Sequence, residues 1–408
     1  MATALTSPLP RVILPARMVM AVPIGLLALS GFAVGAGMRL LDPLLPQVAD
    51  SLGVTVAKAS AVIAGFMLPY GLGQVVLGPL GDRLGKLRVA CVAVVLYGLC
   101  SVACMSAGTL TALVVWRAAS GLFAGAVNPL MMAYLGDAVP YEERQATLSR
   151  FLTGMVMAQM LAGPISGVIG QHAGWRMSFL VLGVMAVVVG AALAIRLGAR
   201  VWRSGEEAGS RVPGLTAYMS LLHRSAGRWL LLSAFFDGLC LFGAAFPYVG
   251  AFLIQEFGLT VSSAGLVIAG FGVGSFLYTR FARRLVRRLG EGGLMLLGGL
   301  GLAAGLAGLA LSPNWIVAAG LQIHLGLMFY MFHGVLQARA TEVMPDARGS
   351  AVSAFALALF LGQTVGSLAF GALLAFIGYR AGFAAAAMGV LVLAVWSRVG
   401  LGRLPRPE

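Results

Sequence analysis

The chain has 408 residues, of which 60% are apolar and only 10% charged. Soluble domains carry roughly 25% charged residues, so this balance excludes a water-soluble globular protein and points to a polytopic membrane protein. The net charge of +14 does not indicate nucleic-acid binding, because the cations lie in short stretches between apolar runs.

A membrane-spanning helix needs about 20 apolar residues, and several runs reach that length. Spans are expected at 18–46, 58–80, 88–107, 110–135, 147–170, 175–197, 228–254, 262–282, 292–311, 315–340, 350–376 and 380–400. The first run follows Arg11 and Arg17 as a signal peptide would, but it is too long for a signal core and is read as a retained span. One set of connections holds Arg83, Lys86 and Arg88, then Arg144, Arg196 to Arg228, Arg280 to Arg288, and Arg348. The alternate set is short and poor in cations. The positive-inside rule places the first set in the cytoplasm, with both termini. Residues 198–227 form the longest polar stretch and read as a cytoplasmic linker between a bundle over 1–197 and one over 228–408. Tyr218 to Leu222 is expected to form a short interfacial helix there.

The two halves repeat. Gly174-Trp175-Arg176 with Phe179 recurs as Gly378-Tyr379-Arg380 with Phe383, and at the same offset Gly167 matches Gly371 and Arg144 matches Arg348. Such a repeat implies two six-span units in the same orientation; transporters of this build place substrate between the units, near the midplane. Cys91, Cys100, Cys104 and Cys240 sit in apolar runs and read as packing residues. Gly270, Gly272 and Gly274 lie inside a span with no strand before them, so they are not a nucleotide loop. No metal site, cofactor signature or nucleophile triad is legible, and no enzyme activity is expected.

The most specific motif is Gly78-Pro-Leu-Gly-Asp82-Arg83-Leu-Gly85-Lys86-Leu-Arg88. It resembles the loop signature between spans 2 and 3 of the major facilitator superfamily of membrane transporters. The resemblance implies an all-α fold of twelve helices in two pseudo-symmetric bundles, working as a monomer in the bacterial cytoplasmic membrane. It also implies a cytoplasmic gate at Gly78, Asp82, Arg83, Gly85 and Arg88. In the family, that Asp meets the start of span 11, near Arg348 and Ser350 in this chain. The second half has Arg283 at the matching position, so no equivalent gate is expected there.

Other positions refine the resemblance. Arg117 with Gly121 and Gly125 resembles the span-4 motif of proton-coupled members; the alternative is an arginine reaching to the interface. Gly163, Pro164 and Gly167 resemble the Gly-Pro motif of the antiporter branches, although Gly-Pro alone reads as a kink. Arg39 and Asp42 lie one turn apart at the end of span 1, in a layout similar to that of drug:proton antiporters and sugar exporters. There the acid takes up a proton or binds a cationic substrate; the alternative is a static Arg39–Asp42 pair. Asp237, in the middle of span 7, is a second candidate for the proton. Asn128, Gln159, His324, Tyr330, His333, Gln337 and Gln363 are expected to line the cavity. The Phe and Met residues of spans 7 and 10 read mainly as core or lipid-facing.

The expected function is therefore proton-driven efflux of a small organic compound such as a drug or sugar, with the small-molecule substrate, protons and the lipid bilayer as partners. Uptake of an organic acid by proton symport is the competing reading, because Arg39 and Arg117 also suit a carboxylate. A non-transporting sensor built on the same fold is the third.

Overall fold

The computed structural model describes residues 23–139, 141–198, 215–344 and 347–401. Long apolar runs give helices because a backbone in lipid must satisfy its own polar groups, even where Pro69, Pro79, Pro129 and Pro164 lie inside them. In chain order these are α1 (Ile24–Arg39), α2 (Leu45–Ser51), α3 (Val56–Ala59), α4 (Ala61–Leu84), α5 (Lys86–Met105), α6 (Leu110–Ala138), α7 (Tyr141–Ala173) and α8 (Trp175–Leu197). The second half holds α9 (Leu215–His223), α10 (Ser225–Asp237), a π-helix (Gly238–Ala245), a 3-10 turn (Phe246–Tyr248), α11 (Val249–Phe257), α12 (Val261–Leu311), α13 (Trp315–Ala340) and α14 (Arg348–Leu401). Much of the expected linker, residues 199–214, lies outside the described residues, as does the expected start of the first span; α9 covers Tyr218 to Leu222.

Nine helices among the described residues are long and apolar enough to cross a membrane, and α1 is a shorter apolar helix. Two of the nine, α12 and α14, each hold two crossings. Each breaks at one glycine, Gly290 (φ 62°) and Gly378 (φ 71°), where only a residue without a Cβ turns cheaply. That gives the twelve crossings expected. The basic stretch from Arg283 to Arg288, expected as a loop, is helical up to Gly290, because arginine is a good helix former in water.

The internal repeat has a structural cause. Gly174 also has positive φ, and the residue two beyond it, Arg176, donates to the Ala107 carbonyl at 3.1 Å. Arg380 stands in the same relation to Gly378. It donates to the carbonyls of Ala310 and Ser312 at 3.1 and 2.9 Å. Each arginine thus satisfies orphan carbonyls at the end of a neighbouring helix. Phe179 and Phe383, the repeat's aromatic pair, are both fully buried.

Within the first half α4 packs on α6, α5 on α6 and α8, and α1 on α7; the halves meet where α7 meets α12 and α4 meets α14. One end of the molecule carries the basic residues Arg83, Lys86, Arg283 and Arg284. The other carries the turns at Gly174, Gly258 and Gly378.

The first crossing departs from the expected single helix. α1 ends at Arg39, and α2 begins only at Leu45. Pro43 cannot donate to the helical ladder and disfavours helical backbone at Asp42. The turn closes instead through Asp42 N–H to the Arg39 carbonyl at 3.1 Å. Arg39 and Asp42 therefore sit on a bend and not on one continuous helix face.

Candidate functional site

The break in the first crossing holds Arg39 where the halves meet. Its Nε donates to Gln159 Oε1 of α7 at 2.9 Å. Its guanidinium lies 4.2 Å from the Phe242 ring centroid and 4.3 Å from that of Phe246, both in the second half. Asp42 Oδ2 is 3.7 Å from Arg39 Nη1. That oxygen is buried and accepts no hydrogen bond from the described residues. A carboxylate held by one long ion pair, with a lone pair unused, is chemically available to a proton or a cationic group.

Arg117 lies behind this pair, inside the first half. It is 1% exposed, so it does not reach toward an interface. Both Nη1 and Nη2 donate to the Gly37 carbonyl at 3.1 Å, and the guanidinium stacks 4.0 Å from the Phe66 ring. Gly37 is two residues before Arg39, so Arg117 anchors the last turn of α1. Tyr97 supports the same turn by donating to the Ala33 carbonyl at 2.8 Å.

A second charged centre is built wholly in the second half. Asp237, the last residue of α10, is 2% exposed and its Oδ2 lies 2.6 Å from His333 Nδ1 of α13. The sequence reading named both residues but did not pair them. The His333 ring stacks on Phe329 at 4.7 Å and 18°, and Phe355 of α14 lies 5.8 Å away.

The π-helix begins directly after Asp237. It runs against α14 through glycines on both sides: a Cβ at Gly238 would lie 2.1 Å from the Leu359 carbonyl oxygen, and one at Gly362 1.9 Å from that of Phe235. Phe242 projects from this segment. Extra-residue helical turns of this kind concentrate at functional sites. The aromatic residues around Arg39 escaped the sequence reading because a phenylalanine in a span is most often core. Only the i, i+4 spacing of Phe242 and Phe246 hinted at a common face.

The remaining candidates divide. Gln363 is buried against the π-helix. Tyr330 stacks loosely on Tyr278 at 6.3 Å. Asn128 is buried beside Tyr70. Gln322, on the same span as the histidines, is fully buried with its amide unbonded among the described residues. His324 instead hydrogen-bonds the Gly301 carbonyl at 2.8 Å, within the packing of α12 on α13. Gln337 is exposed.

The Gly-Pro motif makes contact between the halves. A Cβ at Gly167 would lie 2.8 Å from the Val261 carbonyl oxygen, and one at Gly265 2.4 Å from that of Gly163. Gly250 likewise sits against the Asp42 backbone. Such contacts draw the halves together from the middle of the molecule to the end opposite the basic one.

At the basic end Asp82 is part-exposed and 3.9 Å from Lys86 Nζ, and Lys86 donates to Asp137 at 2.6 Å. Gly85 makes the turn after α4 (φ 100°). A Cβ at Gly78 would meet nothing within 4 Å, and the close helix approach falls at Gly81, against Leu130. Arg83 and Arg348 are exposed and Arg88 is half-buried. The second half holds a sign-reversed counterpart, in which Arg339 pairs with Glu291 and lies 3.3 Å from Glu342.

Comparison with known proteins agrees with this architecture. The chain is 27% identical to the MFS-type transporter YceJ of Bacillus subtilis, over 82% of this chain and 85% of that protein. It is 25% identical to a chloramphenicol resistance protein of Pseudomonas aeruginosa, over 76% and 72% of the two chains. The solved structure of the nucleoside transporter NupG superposes with a TM-score of 0.76 at 15% identity, covering 92% of this chain and 99% of that one. The Major Facilitator Superfamily model matches residues 27–312 and 230–408. With two bundles meeting at buried charges, and that match spanning both of them, the chain belongs to the major facilitator superfamily and is a multi-pass membrane transporter.

Proposed function

We propose that the chain is a proton-driven antiporter that exports a small organic compound across the inner membrane of a bacterium, with both termini in the cytoplasm. The observation that carries this reading is Arg39, a cation of the first half held between Phe242 and Phe246 of the second and beside the under-bonded Asp42. Substrate bound at that junction touches both halves at once. That is the requirement for alternating access by rocking one half on the other.

Asp42 suits an exchange role. Its Oδ2, held by one long ion pair and otherwise without a hydrogen bond among the described residues, is placed to receive a cationic group of the substrate. Export is supported by the relation to a chloramphenicol resistance protein and by the Gly-Pro motif lying on the contact between halves. Contacts around Gly167 and Gly250 join the halves away from the basic end. In the proposed cycle Asp82, with Arg83 and Arg88, forms the cytoplasmic gate by docking on the start of α14 when the transporter turns outward.

Deleting the gene tests the direction. Sensitivity to one compound, restored by the wild-type chain and not by Asp82→Asn at equal expression, is the expected result. Loss of growth on one carbon source with unchanged compound sensitivity would instead establish uptake. Full activity of Asp82→Asn would remove the gate assignment.

A further inference from the structure

Two buried charged centres, Arg39–Asp42 and Asp237–His333, belong to different halves yet are joined by two phenyl rings. His333 stacks on Phe329 at 4.7 Å; Phe329 meets Phe242 edge-on at 4.6 Å and 85°; Phe242 lies 4.2 Å from the Arg39 guanidinium. We propose that Asp237 and His333 carry the transported proton, and that Phe329, Phe242 and the π-helix pass its arrival to Arg39. This rests on the proton-driven reading above and assigns its proton to a site other than Asp42.

The chemistry is a single proton transfer. With His333 Nδ1–H donating to Asp237 and Nε2 bare, the pair carries one negative charge. A proton from water forms an N–H bond at Nε2 and makes the pair neutral, and release to water on the other side breaks that bond. An unneutralised charge is costly away from water, so the anionic pair favours an open, hydrated state and the neutral pair tolerates occlusion. The imidazolium also attracts the face of Phe329 more strongly than the neutral ring does.

A two-state element stands where such coupling needs one. Asp237 ends the first α-helical part of its crossing, and the next eight residues are π-helical. Conversion of that segment to α register shifts it by one residue and rotates Phe242 relative to Arg39. The wall beside the segment is glycine, at Gly362 and Gly366 of α14, so no side chain at those two positions stands against a change of register.

Few other groups face the pair. Cys240 follows on the same crossing. Tyr330 and Arg339 flank His333 on α13, with Arg339 engaged by Glu291 and Glu342. α14 presents Phe355 and the neutral Gln363, α12 presents Tyr278 through Tyr330, and the first half presents Arg39.

The test is a pH titration of 15N-histidine-labelled protein in nanodiscs, followed by NMR from pH 5 to 9 without substrate. The chain has four histidines, and His333→Gln identifies the relevant signal. A change of the His333 signal with pH is the expected result. Asp237→Asn should weaken its proton affinity about tenfold or more, and Phe329→Leu about threefold. Asp237→Glu should keep the titration, which guards against misfolding of the Asn variant. A His333 signal constant from pH 5 to 9, or one that Asp237→Asn leaves unmoved, would overturn the proposal. Because no substrate is involved, a titrating His333 in a protein that fails to exchange protons for any compound would sink the antiport reading alone. Proton-coupled export with a silent His333 would sink this assignment alone.

Discussion

At the scale of single residues, the geometry turns on the shape of a guanidinium. Arg39 uses a planar cation to lie against two aromatic faces while its Nε reaches Gln159. Lysine offers a point charge without the fork or the plane. Arg39→Lys should therefore keep the fold and lower the transport rate at least about tenfold, measured as substrate flux in proteoliposomes; a wild-type rate would show that only charge matters. Arg117 serves differently. Its two donors hold the Gly37 carbonyl, so Arg117→Ala leaves that carbonyl unbonded and a void beside Phe66. It should cost about 3 kcal/mol of stability, seen as a lowered Tm in detergent. An unchanged Tm with lost proton coupling would make Arg117 a coupling residue instead. The buried charges were visible in the sequence because acids and arginines are rare in apolar runs. Their partners were not, since Gln159 and His333 lie on helices distant in the chain, and only packing brings them to Arg39 and Asp237.

At the scale of elements, period and punctuation made most of the helices legible. Apolar length gave the crossings, and the repeated Gly-aromatic-Arg gave the two-fold build. The repeat now has a physical reason: a glycine turn followed by an arginine that satisfies a neighbouring helix end. Arg380 holds two carbonyls and Arg176 one. Each bond to a charged group contributes roughly 1.5–3 kcal/mol. Arg380→Ala should then lower the Tm more than Arg176→Ala does, and equal shifts would contradict the capping account. Two local features were hidden. Pro43 was read as part of a span end, although a proline within a helical run can divide it. The π-helix had no signature at all, because Gly238 to Ala245 has the composition of any apolar helix, and its register is set by contact with α14.

At the scale of the whole molecule, glycines decide how the halves close. Gly163, Gly167, Gly250 and Gly265 place backbone against backbone away from the basic end. A side chain there wedges the halves apart. Gly265→Val should hold that end open, raising deuterium exchange in the outer turns of α7 and α12 and slowing transport together. Wild-type exchange with wild-type transport would show that this contact does not control closure.

The proposed transport exchanges a proton for an organic compound across the junction at Arg39. It is tested most directly in inside-out membrane vesicles with an acidified lumen, followed with a pH-sensitive dye while lipophilic cations, phenicols, sugars and organic acids are added in turn. One compound is expected to trigger proton release from the lumen, and Asp42→Asn and Asp237→Asn should each abolish the response in folded protein. Silence across the panel with folded wild-type protein, or compound movement that leaves the luminal pH unchanged, would contradict it.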